Sequence, residues 1–234
     1  MTTREKCYTC FRPKQHCLCC SLKPIETKTK FVILIHPKEF KRERVGTGRL
    51  THLQLENSEL ISGVNFSNND SVNKFLNDDR YRCFLLYPSA KSININKAAQ
   101  RFTHTSDKVH IIFILDATWS QAKNMLKQNE KLQSIEHLSF NSAKRSIYTF
   151  KQQPYPECVS TIESVKYILD SLTENGIEDT CTENFLEPFK NLIYKQLKAQ
   201  QINQENSKIL SSTKVTYKDN YKKGGIRKVS FGKY

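Results

Sequence analysis

The chain contains three unbroken apolar runs, Phe31-Val32-Ile33-Leu34-Ile35, Cys83-Phe84-Leu85-Leu86-Tyr87 and Ile111-Ile112-Phe113-Ile114-Leu115. A strand with one wet face alternates polar and apolar residues. A run without alternation must be covered on both faces, which is the condition of a parallel strand between helices. Each run stops abruptly, at His36-Pro37, at Pro88 and at Asp116. Leu60 to Phe66 and Ile135 to Phe140 are weaker strand candidates. The pattern predicts an α/β fold with a mostly parallel sheet and flanking helices.

Helices are expected in the gaps. Thr118-Trp119-Ser120-Gln121 has the form of a capping box, followed by Ala122, Met125 and Leu126 at helical spacing. Ser160-Thr161-Ile162-Glu163 is a second, opening a helix with Ile162, Val165, Ile168, Leu169 and Leu172 on one face and stopping near Gly176. Phe185, Phe189, Leu192, Ile193 and Leu197 suggest a last helix, and beyond Ile202 the apolar residues thin out. The expected organisation is a Cys-rich module over 1–25, a catalytic α/β domain over 26–200 and a basic, flexible tail over 201–234.

Five of the eight cysteines fall between Cys7 and Cys20. Nothing at the N-terminus resembles an apolar export signal, so the chain is expected to be unexported and cytoplasmic, where closely spaced thiolates hold a metal more often than they pair. Cys7 and Cys10 form a C-x-x-C pair, and Cys17 and Cys19 complete a four-thiolate structural zinc site. The tight C-x-C spacing leaves Cys20 or His16 as possible replacements for one ligand. Cys83, Cys158 and Cys181 are scattered and are expected to be buried free thiols.

The formal charge of +14 is unevenly placed. Residues 1–45 carry eleven Lys/Arg against four Asp/Glu, residues 195–234 carry ten against two, and the rest is close to neutral. Two basic ends on a neutral body favour a polyanion, and nucleic acid is the natural one. Lys38, Lys41, Arg42 and Arg44 beside the first strand end, and Lys222, Lys223, Arg227 and Lys228 in the tail, are the candidate phosphate contacts. No apolar run reaches the ~18–20 residues that a bilayer span needs, so no membrane is expected.

In open parallel sheets ligands bind beyond the carboxyl ends of the strands. No Walker lysine motif and no G-x-G-x-x-G follows any strand, which removes the main signals for nucleoside triphosphates and dinucleotides. Gly46-Thr47-Gly48 alone reads as a turn. Asp116 directly follows a buried strand; it is either a cap for the next helix or a group aimed at a ligand. Trp119, the only tryptophan, suits core packing or a stacking platform.

At these residues the chain resembles the DTW-domain family. Asp116-Ala117-Thr118-Trp119 has the D-x-T-W form, and Cys7 to Cys19 with Arg12-Pro13, His36-Pro37 with Glu39, Thr47-Gly48-Arg49, Tyr87-Pro88-Ser89 and Ser160-Thr161-Ile162-Glu163 follow in order. The resemblance implies a SPOUT-like fold with a C-terminal trefoil knot, an exception to the usual rules of connection. It also implies a tRNA-uridine aminocarboxypropyltransferase, which moves the 3-amino-3-carboxypropyl arm of S-adenosylmethionine to N3 of a tRNA uridine and releases methylthioadenosine. Bacterial members act on the variable loop and eukaryotic members on the D-loop. By analogy Asp116 is the general base, and Pro88, Ser89, Thr118, Trp119, Ser160, Thr161 and Glu163 form the cofactor pocket. Arg49 and Arg145 are candidates for the cofactor carboxylate or a tRNA phosphate. The rival expectations are a SPOUT-like RNA methyltransferase and a zinc-containing RNA-binding protein without catalysis. No obligate protein partner is evident.

Overall fold

The computed structural model describes residues 5–41, 46–98, 108–141, 146–148, 158–202 and 204. The three apolar runs form the middle of one sheet. Its strands are β1 (Lys30–Ile35), β2 (Ser58–Ser62), β3 (Tyr81–Leu86), β4 (Ile93–Asn94), β5 (Val109–Asp116) and β6 (Glu136–Ser139). They lie in the order β2-β1-β5-β3-β6-β4, and every pairing is parallel. Phe31 to Leu34 and Ile111 to Phe113 have no exposed surface. Each such side chain contributes about 1.5–3 kcal/mol of burial, so the centre of the sheet is its most firmly held part.

Helices α1 (Pro37–Phe40), α2 (Thr47–Leu53), α3 (Asp70–Leu76), α4 (Ile95–Ala98), α5 (Trp119–Lys127), α6 (Glu130–Ser134) and α7 (Thr161–Glu174) lie between and after the strands. One face of the sheet presents Val32, Leu34, Leu85, Ile111 and Phe113 to Val72 and Phe75 of α3, Met125 of α5 and Leu132 of α6. Helices α2 and α7 pack against each other, and α7 buries Ile162, Val165, Ile168, Leu169 and Leu172. It ends at Gly176, whose φ of 71° is the left-handed conformation that glycine takes without a Cβ clash. Just beyond, the buried Glu178 carboxylate accepts the amides of Lys28 and Thr29 at 2.9 and 2.6 Å and so holds the entry to β1.

The chain divides by internal packing into residues Met1–Leu192 and Ile193–Tyr234. The first unit holds the sheet, its helices and the cysteine segment, and residues 187–192 are helical. In the second unit residues 193–202 are helical, and the predicted tail beyond 204 lies outside the described residues. Two local expectations change. Gly46-Thr47-Gly48 is the start of α2, with Gly46 as its N-cap, rather than a turn. Cys181 is exposed, and Cys83 and Cys158 are half-buried, so these are not the buried thiols expected.

Candidate active site

The chain leaves β1 toward one edge of the sheet and leaves β5 toward the other, so their carboxyl ends mark where the connections diverge. The ladder continues one step further there, with the His36 amide donating to the Asp116 carbonyl at 3.0 Å. Asp116 is buried, and its side chain does not cap the following helix. Thr118 does that, in a capping box with Gln121. The Asp116 carboxylate instead accepts the Thr161 hydroxyl at 2.5 Å. A Cβ placed on Gly48 would lie 2.5 Å from the Asp116 Cγ. Glycine at this position is thus what lets the carboxylate lie against α2, and the Thr47-Gly48-Arg49 block acquires a steric reason.

Beside Asp116 a cleft of about 470 Å³ opens at the carboxyl ends of β3, β5 and β6. Tyr87 and Pro88 form one wall, Ala117 and Trp119 a second, Ser139 and Phe140 a third, and Cys158 and Val159 with Thr161 and Ser164 of α7 the last. Trp119 remains 44% exposed, so it is a wall of the cleft and not core packing. Thr161 belongs both to this wall and to the Asp116 hydrogen bond. The first-turn amides of α7 have no intrahelical partners and carry the positive end of its dipole, which suits an anionic group.

The remaining predicted pocket residues hold these walls. Glu163 is buried and accepts from the Ser160 amide and hydroxyl (2.8 and 2.6 Å), the Ser146 hydroxyl (2.6 Å) and the Ile147 amide (2.9 Å). Its carboxylate is spent on the start of α7 and on the 146–148 segment. Ser89 meets Nδ1 of buried His137 at 3.1 Å, while Nε2 meets the Leu132 carbonyl at 3.3 Å. A carbonyl only accepts, so Nε2 carries the proton and Ser89 donates to Nδ1. Burial pushes the His137 pKa down, which keeps this neutral tautomer. The bond secures the loop that bears Tyr87 and Pro88.

The cysteine segment closes on itself. Lys6 and Pro13 form an antiparallel bridge. The Cys7 amide donates to the Arg12 carbonyl at 2.8 Å, and the Phe11 amide to the Cys7 carbonyl at 2.9 Å. Phe11 takes φ 57°, a conformation uncommon outside glycine. The sulfurs of Cys7, Cys10, Cys17 and Cys19 all lie within 4.8 Å of one another. Cys7–Cys19 and Cys10–Cys17 are separated by 3.5 and 3.8 Å. A tetrahedral ion with metal–sulfur bonds of ~2.3 Å needs sulfur separations of roughly 3.8 Å, so the four residues fit one metal. Cys20 and His16 are not part of this group. Amides of Cys10 and Thr9 aimed at the Cys7 sulfur bring its pKa down to about 6, favouring the thiolate a metal requires. Arg12, buried at the base of the segment, feels the Cys10 and Cys17 sulfurs and the Tyr148 hydroxyl; desolvation lowers its own pKa.

Sequence reasoning missed Tyr148. Burial raises its phenol to about 12, the Arg12 cation opposes that, and the Glu39 and Asp116 carboxylates add to it. Arg12, Glu39, Asp116 and Tyr148 therefore share one buried polar neighbourhood. The R-P, H-P-x-E and D-x-T-W blocks marked three of its members in the sequence, and none of them pointed to Tyr148. Of the expected phosphate contacts, Lys38 lies on α1, Lys41 caps it, and Arg49 lies on α2 with its guanidinium over the Phe11 and Phe40 rings. Arg49 lines a small notch with Cys10, Arg12 and Glu39 and does not line the cleft. Arg42, Arg44, Arg145, Lys222, Lys223, Arg227 and Lys228 lie outside the described residues.

Fold and site define a parallel α/β protein with a strand-end cleft beside a buried carboxylate and a four-cysteine knuckle at its N-terminal end. The DTW domain model matches residues 4–197, and the chain belongs to that family. Among curated relatives, a Mus musculus tRNA-uridine aminocarboxypropyltransferase 2 is 28% identical over 198 residues, covering 83% of this chain and 64% of that protein. The Drosophila melanogaster protein of the same name is 30% identical over 173 residues, 71% of this chain and 66% of its own. An Arabidopsis thaliana tRNA-uridine aminocarboxypropyltransferase A is 25% identical over 199 residues, 75% of each. The chain thus spans about two thirds of the length of the animal relatives it matches. No solved structure matches it. Among the described residues no helix is long and apolar enough to cross a membrane.

Proposed function

We propose that this chain is a tRNA-modifying transferase that moves the aminocarboxypropyl group of S-adenosylmethionine to N3 of a tRNA uridine. The observation that carries the reading is Thr161, which joins the strand-end cleft to the Asp116 carboxylate. The cleft volume lies in the range of small-molecule sites. Its aromatic walls, Tyr87, Trp119 and Phe140, suit an adenine, and the α7 amides suit a carboxylate. The sulfonium donor supplies an electrophilic methylene and leaves as a neutral thioether. The protein selects which carbon meets the base, a task of positioning.

Uridine N3 must lose its proton as it attacks. Asp116 receives it through Thr161: the hydroxyl passes its own proton to the carboxylate and takes the one from N3. General-base catalysis of this kind is worth about 10²- to 10⁴-fold. Uridine N3 is the pairing edge, so the base must be unpaired or turned out, which a tRNA loop makes inexpensive. In this reading the four cysteines hold a structural zinc, and the fold is SPOUT-like with a C-terminal trefoil knot. The basic ends bind tRNA phosphates.

The test is purified protein with labelled S-adenosylmethionine and unmodified tRNA, followed by nucleoside mass spectrometry. Aminocarboxypropyluridine together with methylthioadenosine is the expected result. A methylated nucleoside with S-adenosylhomocysteine makes the chain a methyltransferase instead. Bound tRNA with no product makes it an RNA-binding protein.

A further inference from the structure

We propose that the cysteine knuckle and α1 form a stacking platform for an unpaired base, made by Tyr8, Phe11 and Phe40 and placed next to the strand-end site. The proposal rests on the reading that a nucleic acid is the substrate. Tyr8 lies inside the C-x-x-C turn and is 93% exposed. Phe11 is 44% and Phe40 38% exposed. A single surface aromatic needs no explanation, but three on one short knuckle and its neighbouring helix, two of them sharing a cation, do. The Arg49 guanidinium lies 4.4 Å from the Phe11 ring centroid and 4.5 Å from that of Phe40, so the two rings share one cation and are held against α2.

The surrounding chemistry selects the occupant. Lys38 on α1 and Lys41 at its C-cap flank Phe40, within a stretch of chain that is strongly basic. Rings beside cations are how proteins hold single-stranded nucleic acid, the bases stacking on the rings and the phosphates pairing with the cations. Position adds to this. Gly48, which lies against Asp116, immediately precedes Arg49, which lies against Phe11 and Phe40. One turn of α2 therefore joins the platform to the carboxylate. A nucleotide neighbouring the reacting uridine is the base it would hold, which keeps the uridine out of its own stack.

The experiment measures the affinity of the full-length, metal-loaded protein for an unmodified tRNA transcript over a range of salt concentrations. Tyr8→Ala and Phe40→Ala should each weaken binding by about 5- to 100-fold. The slope of log K against log salt should stay that of the wild type, because every phosphate keeps its cation. Tyr8→Trp should restore the affinity. The double change Lys38→Gln and Lys41→Gln should instead flatten the slope by about one unit for each phosphate left without its cation. Metal content and S-adenosylmethionine affinity should match the wild type in the aromatic variants. Wild-type affinity in both alanine variants overturns the platform, as does a weakening that Tyr8→Trp leaves in place. A wild-type protein that binds no tRNA ends the underlying functional reading instead.

Discussion

The carboxyl edge of the sheet and the cysteine knuckle both hold candidate functional side chains in place, by opposite means. Asp116 stands at the end of a strand whose inner residues are wholly buried. The knuckle buries only Cys10 and Leu18 of its apolar side chains, and it depends on a few backbone bonds and four converging sulfurs. The contrast shows where rigidity comes from in each region. The sheet edge takes it from the hydrophobic core, which no ligand need complete. The knuckle has instead four converging sulfurs, a set that fits one metal ion, and in the proposed reading that ion supplies its rigidity. Damage to one should leave the other standing.

The largest effect is expected from Asp116→Asn, which keeps the shape beside Gly48 but removes the carboxylate proposed as the base. Transfer measured with labelled S-adenosylmethionine should fall by about 10²- to 10⁴-fold, with metal content and melting temperature close to wild type. Retained activity would detach the carboxylate from the chemistry. Next is the pair Cys7→Ser and Cys10→Ser. Bound zinc, about one per chain in the wild type, should disappear, and hydrogen exchange should rise across residues 5–22 while β1 and β5 keep their protection. Exchange that rises equally in both regions would break the contrast.

Gly48→Ala should come third, because the new methyl group meets the Asp116 carboxylate. A loss of ~1–3 kcal/mol in denaturant unfolding is the expected cost of overpacking there, together with slower transfer and unchanged zinc. The smallest effect concerns Tyr148. Its folded pKa, about 12, exceeds the unfolded value of 10. The unfolded chain thus sheds the phenol proton first, and the contribution present below pH 10 is lost as the pH rises to 12. Tyr148→Phe should abolish this part of the alkaline sensitivity, by an amount on the order of 1–2 kcal/mol, in unfolding curves recorded from pH 9 to pH 12.

The sheet was legible because double-sided burial writes itself as unbroken apolar runs, and β1, β3 and β5 fall on the three that stand out. Both capping boxes were legible because Thr118 with Gln121, and Ser160 with Glu163, satisfy amides three residues away. The four cysteines were legible through spacing. What stayed hidden depends on distance along the chain. Strand β4 is two residues long and shows no period. The meeting of Asp116 with Thr161 joins positions 45 apart, and no local pattern records it. Glu163 was placed in the pocket by the family resemblance; only its donors reveal that it secures the helix start. Gly48 read as part of a turn because glycine signals backbone freedom, whereas here it signals missing volume.

The Glu178 latch carries a consequence for how the protein is made. The amides of Lys28 and Thr29 emerge early in synthesis, and their acceptor follows about 150 residues later. At the usual ~5–20 residues per second a nascent chain spends many seconds with its first strand formed of apolar residues and its entry unsecured. Strand β5, which pairs with β1, follows only near mid-chain, and α7 later still. Until β5 is made, the one pairing open to the described strands of the sheet is that of β1 with β2. The residues translated first are among the last to be fastened. A ribosome stalled between β5 and residue 178 would present a sheet with an open end, a natural client for a chaperone.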